Sequence, residues 1–133
     1  MLIPIYQIDA FTSSLYRGNP AAVCQLEHWM ETHILQGIAQ ENNLSETAFF
    51  VSNGDHYDLR WFTPCSEVKL CGHATLAAAF VIFNFVNQNR ELISFNTASG
   101  LLEVFRDSNS LIHMNFPSQP GKQIGITNNI MEG

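Results

Sequence analysis

The sequence has few basic residues and little charge of either sign. Six of its 133 residues are Lys or Arg and twelve are Asp or Glu, which leaves a formal net charge of −6. The basic residues do not cluster, whereas a nucleic-acid binder needs a basic stripe that meets the phosphates. The composition therefore argues against nucleic acid as the main partner.

Paired cysteines, a long apolar run and a glycine-rich phosphate loop are also missing. Three cysteines, an odd number, indicate reduced thiols and a cytoplasmic protein. The N-terminus has no basic stretch ahead of an apolar one, and the apolar segment 76–86 is shorter than the ~20 residues that cross a bilayer. We expect no membrane association and, without a phosphate-binding loop, no nucleotide cofactor.

The sequence is rich in apolar and aromatic residues. Hydrophobic residues make up 46% of the chain and include ten Phe and two Trp, which is enough for the core of one domain. Alternating or β-branched segments predict seven strands, and helical patterns predict helices at 28–41 and 74–87. The predicted strands span residues 3–11, 21–25, 46–51, 57–62, 92–95, 101–105 and 111–116.

These segments predict an α+β fold. The helix at 74–87 is apolar on every side, since only Asn84 is polar between residues 76 and 86, and such a helix must be enclosed. Each strand has one apolar face, so a curved mixed sheet, a half-barrel, wrapped around this central helix buries both. The amphipathic helix at 28–41 would then cover an outer edge. A flat sheet covered on one face is the alternative.

A Cys71-Gly72-His73 turn opens the apolar helix. The first amides of a helix have no intrahelical partners and form an anion site. In this first turn His73 is favoured as a neutral imidazole, which donates one hydrogen bond and accepts another, and Gly72 lets a ligand approach the backbone. A thiol at this place should have a lowered pKa. Cys71 is therefore a possible reactive thiol, the alternative being a small buried apolar residue.

Other candidate residues carry weaker signals. Cys65, Cys71 and His73 have a C-x5-C-x-H spacing without a second ligand pair, so we expect no metal site. Cys24 lies in a short apolar strand and is expected in the core. Asn19 either faces the pocket as a substrate-binding residue or is an ordinary turn residue.

Five motifs follow one another along the chain. They are Asp9-Ala10-Phe11, Gly18-Asn19-Pro20-Ala21-Ala22-Val23, Asn43-Leu44-Ser45-Glu46-Thr47-Ala48-Phe49, Trp61-Phe62-Thr63-Pro64 and Leu70-Cys71-Gly72-His73-Ala74-Thr75. In this order they resemble the N-terminal half of the phenazine-biosynthesis PhzF-like family, over about residues 3–116. Members of that family resemble diaminopimelate epimerase in fold, with two similar lobes that each curve a sheet around a central helix.

The resemblance implies an isomerase that works without a cofactor on a small carboxylated metabolite. In the family the glutamate of the Ser-Glu-Thr motif, here Glu46, is the acid/base residue. The Gly-His pair, here Gly72 and His73, helps to hold and protonate the substrate. Glu46 begins an apolar strand, where desolvation favours a raised pKa suited to proton transfer at carbon; the alternative is a solvated carboxylate at a strand end.

Two other functions stay open. Related epimerases carry a racemising cysteine where Cys71 stands, paired with a second thiol from the other lobe, so a cofactor-independent racemase or epimerase is one alternative. The other is a catalytically incomplete lobe that acts as a binding or dimerising module through exposed apolar surface.

The family's second lobe matters because its site lies between the lobes. We expect residues 1–120 to form a single PhzF-like N-terminal lobe and 121–133 to be a tail or the start of a linker. In the family the second lobe supplies an aspartate and a further substrate-binding turn. We therefore expect the chain either to form a homodimer or to lack that second lobe.

Overall fold

The structure is a computed structural model that describes residues 3–10, 19–109, 111–115 and 123–124. Two helices, α1 (Thr32–Asn42) and α2 (Gly72–Val81), lie among the strands, and α2 continues into a π-helical segment (Ile82–Val86). The strands are β1 (Ile5–Ala10), β2 (Asn19–Leu26), β3 (Glu46–Asn53), β4 (His56–Phe62), β5 (Glu67–Val68), β6 (Leu92–Thr97), β7 (Gly100–Arg106), β8 (Ile112–Asn115) and β9 (Gln123–Ile124).

All nine strands in the described part of the chain belong to one mixed sheet. Its order is β1-β2-β3-β4-β6-β7-β8-β9, and β5 pairs with β4. The pairs β2–β3 and β4–β6 are parallel, and the others are antiparallel. Parallel neighbours need a long crossover, and α1 and α2 lie in these two crossovers. The predicted mixed sheet is confirmed.

The sheet curls around α2 and carries α1 on its other face. In β3, Ala48 and Phe50 pack in the core around α2, whereas Phe49 and Val51 pack in the core around α1. This two-residue alternation follows from the pleat, which sends successive side chains to opposite faces. Every residue of α2 from 74 to 79 is buried. The half-barrel around an apolar helix is therefore confirmed, and the flat sheet covered on one face is wrong.

The outer helix differs from its prediction in start and position. It begins at Thr32 rather than at residue 28, because Trp29 and Met30 reach the α1 core from the segment before the helix and extend its apolar pattern. It packs on β3 and β4, which are inner strands of the sheet, and not on an outer edge. It ends at Asn42, one residue after the predicted end, and the amide of the left-handed residue Asn43 (φ 52°) donates to Ala39 O at 3.1 Å.

Other differences lie at the ends of elements. Helix α2 begins two residues earlier than predicted, and its last turn changes to π-helical hydrogen bonding. The two-residue strands β5 and β9 were not predicted, because two residues are too few to show alternation. Strand β9 pairs with β8 beyond residue 120, while the boundary of the lobe at 120 stays a prediction. The predicted strand ends at Phe11 and Phe116 lie outside the described residues.

Candidate functional site

The sequence motifs meet at one end of the curled sheet. Glu46 begins β3 and lies beside Ala21 of the parallel strand β2, while Thr47 lies opposite Phe62 at the end of β4. The first turn of α2 comes close enough for the charge of Glu46 to act on Cys71. Residues 25 positions apart in sequence therefore form one site.

Glu46 differs from the other polar groups of this site in its hydrogen bonding. Its Oε1 atom is buried and has no hydrogen-bond partner among the described residues. A buried carboxylate oxygen without a donor is costly, so such atoms concentrate where a ligand or a reaction uses them. Glu46 is thus placed to accept a hydrogen bond or a proton from a bound molecule.

Cys71 departs from its prediction. It holds the N-cap position of α2 but makes no side-chain capping hydrogen bond. Burial raises its pKa from 9.0 to about 11, and the negative charge of Glu46 also raises it. The amides of Ala74 and His73 favour the thiolate but do not outweigh burial. The expected lowering of the thiol pKa by the helix N-terminus is therefore wrong.

The remaining candidate residues, Gly72, His73 and Asn19, lie at the starts of α2 and β2. Gly72 is half-buried and begins α2, and His73 is exposed on the first turn. Asn19 begins β2, but its side chain lies outside the described part of the structure. The structure thus brings together Glu46, Cys71 and the start of α2, and it leaves the contribution of Asn19 a prediction.

Two buried residues at this end of the sheet were not predicted as functional from the sequence. Trp61 of β4 donates a hydrogen bond from Nε1 to Thr75 Oγ1 (2.9 Å), and Thr75 Oγ1 donates to Cys71 O (2.7 Å). Both residues stand in the motifs quoted above. The sequence does not show that β4 and α2 pack against each other, so it could not pair them.

The loop after β4 borders the same end. Thr63 Oγ1 accepts hydrogen bonds from the amides of Cys65 (3.2 Å) and Ser66 (3.1 Å), and Gln36 Nε2 of α1 donates to Thr63 O (2.9 Å). Cys65 is exposed. Among the described residues, no three His, Cys, Asp or Glu side chains gather as metal ligands. In that same part of the chain, no helix is long and apolar enough to cross a membrane.

The family profile described as phenazine biosynthesis-like protein, PhzC-PhzF, matches residues 8–129. The chain belongs to this family. An uncharacterized isomerase of Pseudomonas aeruginosa is 47% identical over 132 residues, which are 99% of this chain and 51% of the relative. The mouse phenazine biosynthesis-like domain-containing protein 1 is 45% identical over 128 residues, 90% of this chain and 44% of the relative.

Solved structures of PhzF-family proteins have the same fold. A member from Enterococcus faecalis is 49% identical with a TM-score of 0.79, over 86% of this chain and 44% of that one. A hydroxyproline epimerase from Agrobacterium vitis shares the fold alone, with a TM-score of 0.61 and 6% identity over 84% of this chain and 40% of that one. The chain spans about half the length of the relatives it matches.

Proposed function

We propose that this chain is a lobe of a PhzF-like isomerase that shifts a proton on a small carboxylated metabolite without a cofactor. The observation that carries the proposal is the buried Oε1 of Glu46, which has no hydrogen-bond partner among the described residues and lies at the end of the lobe where α2 begins. The isomerase names of relatives at 44–47% identity support the reaction class. A cytoplasmic location stays a prediction from the cysteine count.

In the proposed reaction Glu46 acts first as the base. Its carboxylate removes a proton from a carbon of the substrate, the C–H bond breaks, and its electron pair moves into an enol-like intermediate. The proton then returns to a different carbon, from the protonated Glu46 or with the help of His73. General acid–base transfer of this kind contributes roughly 10²–10⁴-fold to a rate when the group is well placed.

The start of α2 has the binding role in this proposal. The first-turn amides carry the positive end of the helix dipole, which favours a carboxylate group and the developing charge of the intermediate. Gly72 lets the substrate approach the backbone, and the exposed imidazole of His73 is accessible to it. Such fixed donors stabilise an enolate without a metal or a nucleotide.

The racemase alternative loses its main support in this lobe. A thiolate base must lose its proton near neutral pH, whereas burial raises the pKa of Cys71 to about 11. A lobe that binds the carboxylate without turnover stays the non-catalytic alternative, because the chain spans about half the length of its relatives.

The proposal is tested by proton exchange. The chain is incubated in D₂O with a panel of small cyclic amino acids and unsaturated hydroxy acids, and ¹H NMR follows the loss of carbon-bound hydrogen. Glu46→Gln should slow exchange at least ~10²-fold, since the amide cannot accept the proton. The matched control is Glu41→Gln, which changes an exposed glutamate of α1 and should leave the rate within about twofold.

The outcomes separate the proposals. An exchange rate in Glu46→Gln equal to that of the unaltered chain would remove Glu46 from the mechanism. Binding of a panel member without any exchange, by the chain and by Glu46→Gln alike, would favour the non-catalytic lobe.

A further inference from the structure

A buried hydrogen-bond chain joins the sheet to the first turn of α2. Trp61 Nε1 donates to Thr75 Oγ1 at 2.9 Å, and Thr75 Oγ1 donates to Cys71 O at 2.7 Å. The backbone amide of Thr75 also donates to Cys71 O, at 3.1 Å. The carbonyl that precedes Gly72 therefore accepts two hydrogen bonds from a single residue.

The direction of these bonds follows from the hydroxyl group. Serine and threonine in helices often bond back to the carbonyl four residues earlier, but an isolated hydroxyl can rotate to other acceptors. Here Trp61 has only a donor, so it must donate to Thr75 Oγ1. The single hydroxyl proton of Thr75 is then directed to Cys71 O. Thr75 is fully buried and Trp61 is 1% exposed, so losing either partner would leave a buried polar group unsatisfied.

Thr75 is the buried polar residue of helix α2 among the described residues, and its neighbours Ala74, Leu76 and Ala77 are apolar and fully buried. Apolar contacts have no preferred direction. The hydrogen bonds of Thr75 do, and one satisfied polar network in a core can specify a single arrangement.

Trp61 lies where the relevant strands meet. It pairs with Ala48 of β3, two residues after Glu46, and with Val68 of β5, on the segment that leads to Cys71. A bond from Trp61 to α2 therefore fixes the start of the helix relative to the strand that carries Glu46.

We propose that Trp61 and Thr75 are positioning residues that set the place of the Cys71-Gly72-His73 turn relative to Glu46. They act through the backbone of Cys71 and do not touch the substrate. The effect on catalysis rests on the proposed function, but the placement of the turn does not, and it is measured without a substrate.

The test uses the alkylation of the three cysteines as an internal set of probes. The folded chain reacts with iodoacetamide at pH 8, and mass spectrometry of peptides gives a rate for each thiol. Cys71 reports on the turn, buried Cys24 reports on global opening, and exposed Cys65 is the reference. The variant Thr75→Val keeps the shape of the side chain but loses the hydroxyl, whereas Thr75→Ser keeps the hydroxyl.

We expect Thr75→Val to speed the alkylation of Cys71 roughly tenfold or more, because a displaced turn relieves the burial that holds back the thiolate. Thr75→Ser should stay within about twofold of the unaltered chain, since both hydrogen bonds survive. Cys24 and Cys65 should keep their rates in both variants. The matched control is Thr47→Val, which changes another fully buried threonine, one that accepts a hydrogen bond from Asn42 Nδ2. It should leave the alkylation rate of Cys71 unchanged.

Two results would overturn the proposal. One is an unchanged rate for Cys71 in Thr75→Val. The other is a joint rise for Cys71 and Cys24, which means that the hydroxyl contributes only to global stability. If Thr75→Val does not fold, Trp61→Phe takes its place, since it removes the Nε1 donor together with part of the ring system. An unchanged Cys71 rate, or a joint rise for Cys71 and Cys24, would overturn the proposal in that variant too. Because these rates need no turnover, a failure here is distinct from a failure of the Glu46→Gln exchange experiment.

Discussion

At the scale of single residues, burial outweighs the helix dipole in this lobe. The helix N-terminus offers a thiolate about 0.3–1 kcal/mol at an exposed position. The rise in the pKa of Cys71 from 9.0 to about 11 corresponds to roughly 3 kcal/mol against the thiolate, at about 1.4 kcal/mol for each pH unit. Position in the sequence reveals the helix dipole but not the burial of the thiol, which is why the expected lowering of the Cys71 pKa is wrong.

At Cys24, the effect of burial on a thiol pKa can be measured through the pH dependence of the free energy of unfolding. It is fully buried in β2, and desolvation raises its pKa from 9.0 to about 12. The folded chain therefore keeps the thiol proton up to about pH 12, while the unfolded chain loses it above pH 9. The stabilisation is complete below pH 9 and is lost as the pH rises toward 12. The free energy of unfolding should fall by up to about 1.4 kcal/mol per pH unit in this range because of Cys24.

Urea unfolding between pH 8 and pH 10.5 with a reductant measures this contribution. Cys24→Ala should lower stability at pH 8 because it leaves a cavity, but its curve should decline less steeply above pH 9. Cys65→Ala, at an exposed position, serves as the control and should follow the unaltered chain. Parallel curves for Cys24→Ala and the unaltered chain would contradict the prediction.

At the scale of elements, the periodicity of apolar residues predicted the long helices and strands. It missed short strands and side-chain contacts that depend on neighbouring segments. Strand β4 was predicted at 57–62 from the alternation of its side chains and is found at His56–Phe62. Beside the β4–β5 pairing, Glu67 of the two-residue strand β5 forms a bidentate ion pair with Arg60, with N–O distances of 2.7 and 2.8 Å. No local pattern predicts that contact. His113 Nε2 likewise lies 2.9 Å from Asp107 Oδ2, a contact that no local pattern predicts.

The candidate site also has features that the sequence motifs predict and features that depend on tertiary contacts. The motifs placed Glu46 and Gly72 in one family site. They could not show that Oε1 of Glu46 is buried without a partner in the part of the chain that the structure describes, or that burial raises the pKa of Cys71. The roles of Trp61 and Thr75 depend on the packing of β4 against α2, which is a tertiary contact 14 residues apart.

The π-helical end of α2 depends on one arginine. The guanidinium of Arg106 donates to three carbonyl groups, Phe83 O (3.4 Å), Gln88 O (2.9 Å) and Arg90 O (2.9 Å), and lies 4.8 Å from the centre of the Phe83 ring. A cation at a helix C-terminus stabilises its unpaired carbonyls. We predict that Arg106→Ala lowers the free energy of unfolding by about 2 kcal/mol, from lost charged hydrogen bonds and cation–π contact.

The variant Arg106→Lys distinguishes the contribution of the positive charge to stability from that of the planar guanidinium group. Lysine keeps the charge but has no planar fork that reaches several carbonyls, so it should recover less than half of the loss. Lys69→Ala, which removes an exposed cation, is the control and should change stability by less than about 0.5 kcal/mol. Urea unfolding at neutral pH measures all three variants. Full recovery in Arg106→Lys would show that charge alone acts here.

At the scale of the whole molecule, the two core layers place the site at one end of the lobe. Helix α2 fills the inside of the curled sheet, and α1 covers the outside of β3 and β4. The inner helix is held on most sides, so its first turn is the part that can face a ligand. The relatives' own chains are about twice as long as this one.

The last prediction concerns how a complete cleft arises. We propose the homodimer, one of the two arrangements expected from the sequence, as the source of the other wall. Sedimentation should then give twice the mass of 14.9 kDa. The exchange rate per chain in D₂O should then rise with protein concentration, because only the dimer holds a closed cleft and its population grows with concentration. The same dilution series with Glu46→Gln controls for exchange that needs no cleft. A chain that stays monomeric while exchanging at a rate independent of concentration would exclude the shared cleft, since a single lobe would then suffice for the proton transfer.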